Sequence, residues 1–353
     1  MEKANMTILL EKNVSTTILS TVHSPVDITP MNLAMGISNL VAFLVGTSVN
    51  GLFLWVLAMK MKRTVTTLWF LNLILIYFMS SSYIPFFAVY FLLDFHWVFG
   101  AIMCKVVNSL GSLGMFITVF LITIISIDRY LLICHPIWSQ YNRTVPRARR
   151  LIAGVWLTSF ALSAPYLAFR ETREAEKGKI TCVNNYALSS DWGSPRIEAL
   201  RNLIHLTLFL VRFLLAFLIP FCIITGCYCR MRSELKKKRW VRNKKPFRIL
   251  AIAVASFFVC WLPYHLYHGL SLFKRVPDGL LLPLQGIFII TRCFNFCVTP
   301  ILYLFVGEKF QQICKMSLLG LLKKAFVDIP VQPGDDPLAM TRATQPVPAT
   351  ACR

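Results

Sequence analysis

Seven long apolar stretches, separated by short polar breaks, limit what this chain can become. They run over roughly 32–59, 66–93, 101–134, 147–169, 201–233, 243–273 and 279–305. A helix crosses the hydrocarbon core of a bilayer with about 20 apolar residues, and each stretch reaches that length. Of the 353 residues, 56% are apolar and 15% charged, whereas a soluble domain carries about a quarter charged. A soluble core could not hide runs that recur this often. The expectation is an all-α bundle of seven membrane-spanning helices over 32–305, in a multi-pass protein of the plasma membrane.

The net charge of +21 invites a nucleic-acid reading, but its placement excludes one. Lys60, Lys62 and Arg63 follow the first span; Arg143, Arg147, Arg149 and Arg150 lie between the third and fourth. Lys236, Lys237, Lys238, Arg239, Arg242, Lys244 and Lys245 lie between the fifth and sixth, and Lys315, Lys323 and Lys324 follow the seventh. The alternate loops mix signs, with Arg170, Glu171, Arg173, Glu174, Glu176 and Lys177 after span four. Basic loops stay in the cytoplasm, so the amino end is expected outside. Residues 1–31 form that external tail, where Asn5 and Asn13 open glycosylation sequons. Asn142 opens a third on the cytoplasmic side and is read as chance. The first span is expected to direct insertion itself.

Eleven cysteines are present. Cys222, Cys227, Cys260, Cys293 and Cys297 fall inside spans and read as small apolar residues. Cys104, at the top of span three, and Cys182, before span five, lie on the exterior side, where a pair oxidises. Their bond would drape 170–200 over the bundle mouth. Pro85, Pro165, Pro220, Pro263 and Pro300 place one kink-forming residue in each of five spans. Residues 306–324 mix leucines with lysines and predict an amphipathic helix on the inner leaflet, with membrane lipids as partners. Its Cys314 is a palmitoylation candidate. Residues 325–353, rich in Pro, Thr and Ala, predict a disordered cytoplasmic tail.

An ordered set of motifs then narrows the class. Asp128-Arg129-Tyr130 closes span three. Gly46-Thr47-Ser48-Val49-Asn50 lies in span one, Trp156 with Pro165 in span four, and Pro220 with Tyr228 in span five. Span six carries Phe257 and Cys260-Trp261-Leu262-Pro263, and span seven Pro300-Ile301-Leu302-Tyr303. Over 32–324 this resembles the rhodopsin-like G-protein-coupled receptors. His96-Trp97-Val98-Phe99-Gly100, His135-Pro136-Ile137-Trp138 and Asn243-Lys244-Lys245-Pro246-Phe247-Arg248 are similar to the chemoattractant group of formyl-peptide and chemerin receptors. The resemblance implies that Arg129, held by Asp128 at rest, swings free as span six moves outward about Pro263. Tyr228 and Tyr303 would hold the open form, and Phe257 with Trp261 would relay the ligand's presence. It also implies a heterotrimeric G protein of the inhibitory class as partner, with arrestin as a further one.

Two departures from the family stand out. Tyr77 occupies the place of an Asp in span two, and Thr299 that of an Asn or Asp before Pro300. In the family these groups, with span-three hydroxyls, form a sodium site; Thr118 and Asn295 remain, but a phenol is a poor ligand for a hard cation. No metal site is expected. His265 and His268 are three apart, yet no cysteine or carboxylate joins them.

Charges inside a membrane span are functional candidates. Arg212 and Arg292 lie in the outer halves of spans five and seven, and no Asp or Glu lies in the membrane core of any span. An extracellular peptide C-terminus or lipid carboxylate would supply the counter-ion. The bland alternative is that these arginines snorkel outward or bond to Asn108, Asn295 or backbone carbonyls. His265 and Asn108 are expected near the same mouth. Gly111 and Ser112 stand where amine and formyl-peptide receptors carry Asp. No triad-like grouping or phosphate-binding glycine run exists, so neither an enzyme nor a cofactor is expected. The rivals are a weakly coupled decoy receptor, which Tyr77 and Thr299 favour, and a transporter or channel, which the scarcity of core charge disfavours.

Overall fold

The computed structural model describes residues 28–175, 178–191, 194–237, 245–273 and 276–304. The predicted glycosylation sites Asn5 and Asn13, the helix at 306–324 and the tail lie outside the described residues. Span one is α1 (Pro30–Met59); span two is α2 (Val65–Ser82) followed by α3 (Ile84–Leu92); span three is α4 (Gly100–Cys134). A short α5 (Pro136–Asn142) leads to span four, α6 (Val145–Ser163) and α7 (Pro165–Phe169). Span five is α8 (Pro195–Phe213), a π-helical turn (Leu214–Leu218) and α9 (Ile219–Lys237); spans six and seven are α10 (Lys245–Leu270) and α11 (Asp278–Leu304). The chain is therefore a seven-helix bundle. Among the described residues, six spans are long and apolar enough to cross a membrane. The seventh, α10, has 26 residues, about 39 Å at 1.5 Å per residue, against a core of about 30 Å.

Local sequence sets the breaks. Thr29 caps span one, its hydroxyl accepting from the Asn32 N–H at 3.2 Å, with Pro30 in the first turn. Pro85 has no N–H to offer the Ser81 carbonyl. Span two parts at Tyr83, whose own N–H donates to that carbonyl instead. Pro165 also breaks span four at Ala164, whose own N–H keeps its helical bond to the Phe160 carbonyl. Pro220 leaves the Ala216 carbonyl without its donor, and the chain widens into the π turn immediately before it. Pro263 sits inside an unbroken α10.

Packing follows from lipid. Span three is the central rod, with Ile117, Val119 and Leu121 fully buried. Spans one and two, and two and three, meet through small residues, which let helices approach closely where lipid gives little hydrophobic drive. A methyl added at Gly114 would come within 2.7 Å of the Ser80 hydroxyl, and one at Gly46 would collide with the Ser81 hydroxyl. Span six lies chiefly on span seven, and seven on one. On the outer face of span four, Leu157 is 72% exposed. Such surface is costly in water and ordinary against acyl chains.

The all-α expectation needs one addition. β1 (Arg170–Glu174) and β2 (Ile180–Asn184) form an antiparallel hairpin across one end of the bundle, with Thr172 opposite Cys182. Cys182 is bonded to Cys104 across 78 residues, with Cα atoms 5.8 Å apart. The loop at 94–99 clamps the hairpin from its rim. The Trp97 N–H donates to the Ile180 carbonyl at 2.7 Å, the Ile180 N–H donates to His96 Nδ1 at 3.0 Å, and Lys179 pairs with Asp94. Asp94 and Phe95 both adopt positive φ, 50° and 61°, a backbone cost that these contacts offset. Replacing Cys182 by Ala is expected to remove about 4.5 kcal/mol of loop-entropy stabilisation. The check is a thermal midpoint of the purified protein, where an unchanged midpoint would mean that the rim contacts alone hold the hairpin.

Candidate functional site

Beneath the hairpin lies a cavity of about 360 Å³, room for about a dozen waters at roughly 30 Å³ each. Its walls are aromatic, among them Tyr83, Phe87, Tyr166, Trp261 and Tyr264, and three guanidinium groups line it: Arg170, Arg212 and Arg292. No carboxylate is among the described lining residues. Stripping a guanidinium of water without a partner is expensive, so the way each is satisfied matters.

Arg212, on α8 and 7% exposed, donates to the Tyr264 hydroxyl at 2.7 Å. It also stands 5.0 Å from the Tyr166 ring and 5.8 Å from that of Tyr264. Asn108 does not bond to it, contrary to one expectation; the Asn108 amide donates to the Cys104 carbonyl at 2.8 Å and touches the Cys182 sulfur, though it does line the cavity. Arg170, on β1, donates to the Cys182 carbonyl at 3.1 Å. Arg292, on α11, lies 5.1 Å over the Phe87 ring, and its buried Nε has no partner among the described residues. In the loop after β2, burial and the neighbouring Tyr166 phenol push the Tyr186 hydroxyl up to about 12 against the pull of Arg212. It therefore stays a neutral donor at ordinary pH.

His265 departs from its expected place at the mouth. It is 3% exposed, does not line the cavity, and sits among the rings of Phe213, Phe217 and Tyr264. Helical phase explains this: Trp261, Tyr264 and His268, spaced three and four apart, share the face that lines the cavity, and His265 lies about 100° round from Tyr264. The floor is Trp261, tilted on the fully buried Phe257 at 5.9 Å. Below them the core runs to the opposite end of the bundle.

At that end the expected pairing is redistributed. Asp128, 8% exposed, takes two hydrogen bonds from Arg143 at the end of α5, Nε to Oδ1 at 2.7 Å and Nη2 to Oδ2 at 3.1 Å. Arg129 stands 3.9 Å from the same carboxylate and donates instead to the Thr66 hydroxyl at 3.1 Å, which also accepts from Arg143 at 2.6 Å. Two fork-shaped donors compete for one acid, and the side-on geometry of Arg143 wins. Tyr130 bonds to His135 at 3.0 Å. Tyr228, on α9, lies within electrostatic reach of Arg129. A cavity of about 340 Å³ beside it separates α9 from α10 and includes Arg232 and Val254. Pro300 and Tyr303 lie in α11, and their side chains are outside the described ones.

The comparisons with known proteins bear on this arrangement. The model of the 7 transmembrane receptor (rhodopsin family) matches residues 49–303. This chain belongs to the rhodopsin family of seven-transmembrane receptors. Among its relatives, the Probable G-protein coupled receptor 33 of Homo sapiens is 48% identical over 295 residues, covering 83% of this chain and 88% of the relative. That of Mus musculus is 45% identical over 317 residues, 90% and 92% of the two chains. The Chemerin-like receptor 1 of Mus musculus is 40% identical over 298 residues, 82% and 79%. The receptor is thus no enzyme.

Sequence reasoning missed three residues of the receptor. Arg143 and Thr66 carried no signal beyond a basic loop and a helix start, because their meeting is tertiary. Arg170 could have been found. Alternation along paired strands puts Arg170 and Thr172 on the face of Cys182 and Asn184, and the disulfide pins that face to the mouth.

Tyr77 fills the place of the family's Asp with a fully buried ring, edge-on to Phe296 at 6.3 Å. Exchanging sodium for N-methylglucamine at constant ionic strength should therefore leave the receptor's thermal midpoint and basal nucleotide exchange unchanged, and a shift in either would reveal a cation site. Arg143→Ala should cost about 1.5–3 kcal/mol, the worth of hydrogen bonds to a charged group. Denaturation of the purified variant measures it, and a wild-type midpoint would show the pair to be idle.

Proposed function

We propose that the receptor is of the chemoattractant type, with the hairpin face outside the cell and the basic Arg129 face within. An extracellular peptide or lipid agonist enters the cavity beneath the hairpin and places an anionic group among Arg170, Arg212 and Arg292. One observation carries this reading: three guanidinium groups share an aromatic cavity with no carboxylate among its described lining residues. An agonist anion would be the missing counter-charge, and its bonds in a water-poor site are strong ones.

The agonist favours the open form and shifts the equilibrium toward it. Trp261 and Phe257 lie between the cavity and the Arg129 end and would transmit the shift to α10, which turns about Pro263. The gap beside Tyr228 is where a G protein of the inhibitory class would dock. The likeness to Chemerin-like receptor 1 supports the chemoattractant assignment. A second reading is weak coupling, as in a decoy; the buried Tyr77, where the family keeps a carboxylate, favours it.

A peptide and lipid-acid screen read by nucleotide exchange on purified inhibitory G protein tests the proposal. Once an agonist is found, Arg212→Gln and Arg292→Gln should each lower potency about tenfold or more at equal surface expression. Agonist binding without exchange would favour the decoy. Wild-type potency in both variants would remove the anion from the ligand.

A further inference from the structure

The three arginines of the cavity are not equivalent. Arg212 already donates to the Tyr264 hydroxyl at 2.7 Å and faces two aromatic rings. It joins span five to span six, and Tyr264 in turn meets Trp261 edge-on at 5.4 Å. Arg170 donates to the Cys182 carbonyl within the hairpin and stands 6.0 Å from the Tyr166 ring, although its buried Nε, too, has no partner among the described residues. Arg292 lies over the face of Phe87, and its buried Nε lacks an acceptor among the described residues. On span three, Ser112 lines the same cavity, 7% exposed, with a hydroxyl that likewise has no partner among them. Gly111 beside it offers no side chain, and a Cβ added there would find only the Tyr83 hydroxyl, at 3.7 Å. Tyr83 is also within electrostatic reach of Arg292.

A guanidinium that already donates within the protein gains less from an anion than one that faces an aromatic ring and keeps a desolvated, idle N–H. We propose that Arg292, with Ser112 of the same cavity, is the receiving site for a carboxylate borne on an apolar body, and that Arg212 is a positioning residue that holds Tyr264 over Trp261. This inference rests on the anionic-ligand reading and assigns the anion to one of its arginines. A peptide C-terminus and a fatty acid share the required chemistry, and the cavity's size suits a few terminal residues or a short acyl chain.

The test uses the purified full-length receptor in detergent, with affinities taken from the probe-dependent rise of the thermal midpoint. One probe pair is octanoate and octanol. The other is an N-acetylated Leu-Tyr-Phe tripeptide with a free or an amidated C-terminus, so the two arms separate a lipid source from a peptide one. The wild type should bind the carboxylate member of at least one pair about ten- to hundredfold more tightly than its neutral twin. Arg292→Gln should bring that ratio close to one, and Arg292→Lys should keep part of it. Arg212→Gln should weaken both members of a pair alike and leave the ratio standing. Should Arg292→Gln fail to fold, Gly111→Asp supplies an internal carboxylate from span three and should abolish the ratio. A ratio that survives Gly111→Asp or Arg292→Gln overturns the assignment. A ratio that survives Arg292→Gln but collapses in Arg212→Gln does so while sparing the anionic-ligand reading. A wild type indifferent to both carboxylates overturns both.

Discussion

Charge that cannot reach water organises this receptor. Lipid and close-packed side chains surround the bundle, and a guanidinium there must find an acceptor, an aromatic face or a ligand. Each deep arginine has been answered differently. Among the described residues Arg212 uses a phenol and two rings, Arg170 a backbone carbonyl and the Tyr166 ring, and Arg292 the Phe87 ring. At the other end Arg143 and Arg129 divide one carboxylate and one hydroxyl between them. The incomplete solutions are the informative ones, because a group left short of partners in the folded chain is where a further binding partner contributes most.

The backbone obeys the same rule. With no water to accept from its N–H groups, every span is helical, and each break coincides with a residue that cannot donate. Pro85 divides span two at Tyr83, whose ring then lines the cavity. Pro220 widens span five into a π turn just below Arg212. Proline positions thus determine where aromatic and cationic side chains meet.

The hairpin completes the site by covering it. Its disulfide to span three and its clamp to the loop at 94–99 fix Arg170 and Tyr186 above the cavity. These ties span 78 residues in one case and more than 80 in the others, so the lid is held to the start of span three and to the loop that leads into it. An agonist entering here meets a preformed wall, and ordering it then costs less.

Much of this was legible in the sequence. Apolar runs of bilayer length fixed the seven helices, since no other arrangement hides them, and the prolines marked where the helices break. The cysteine pair on the mixed-charge side gave the bond over the mouth. The absence of acidic residues from the span interiors pointed to Arg212 and Arg292 as unanswered charges. Only tertiary structure decided who answers them. Helical phase turned His265 inward and His268 to the cavity. The fold of α5 brought Arg143 to Asp128, and strand pairing brought Arg170 into the wall. A sequence records which groups must be satisfied, but contacts between helices far apart in the chain decide which partner arrives first.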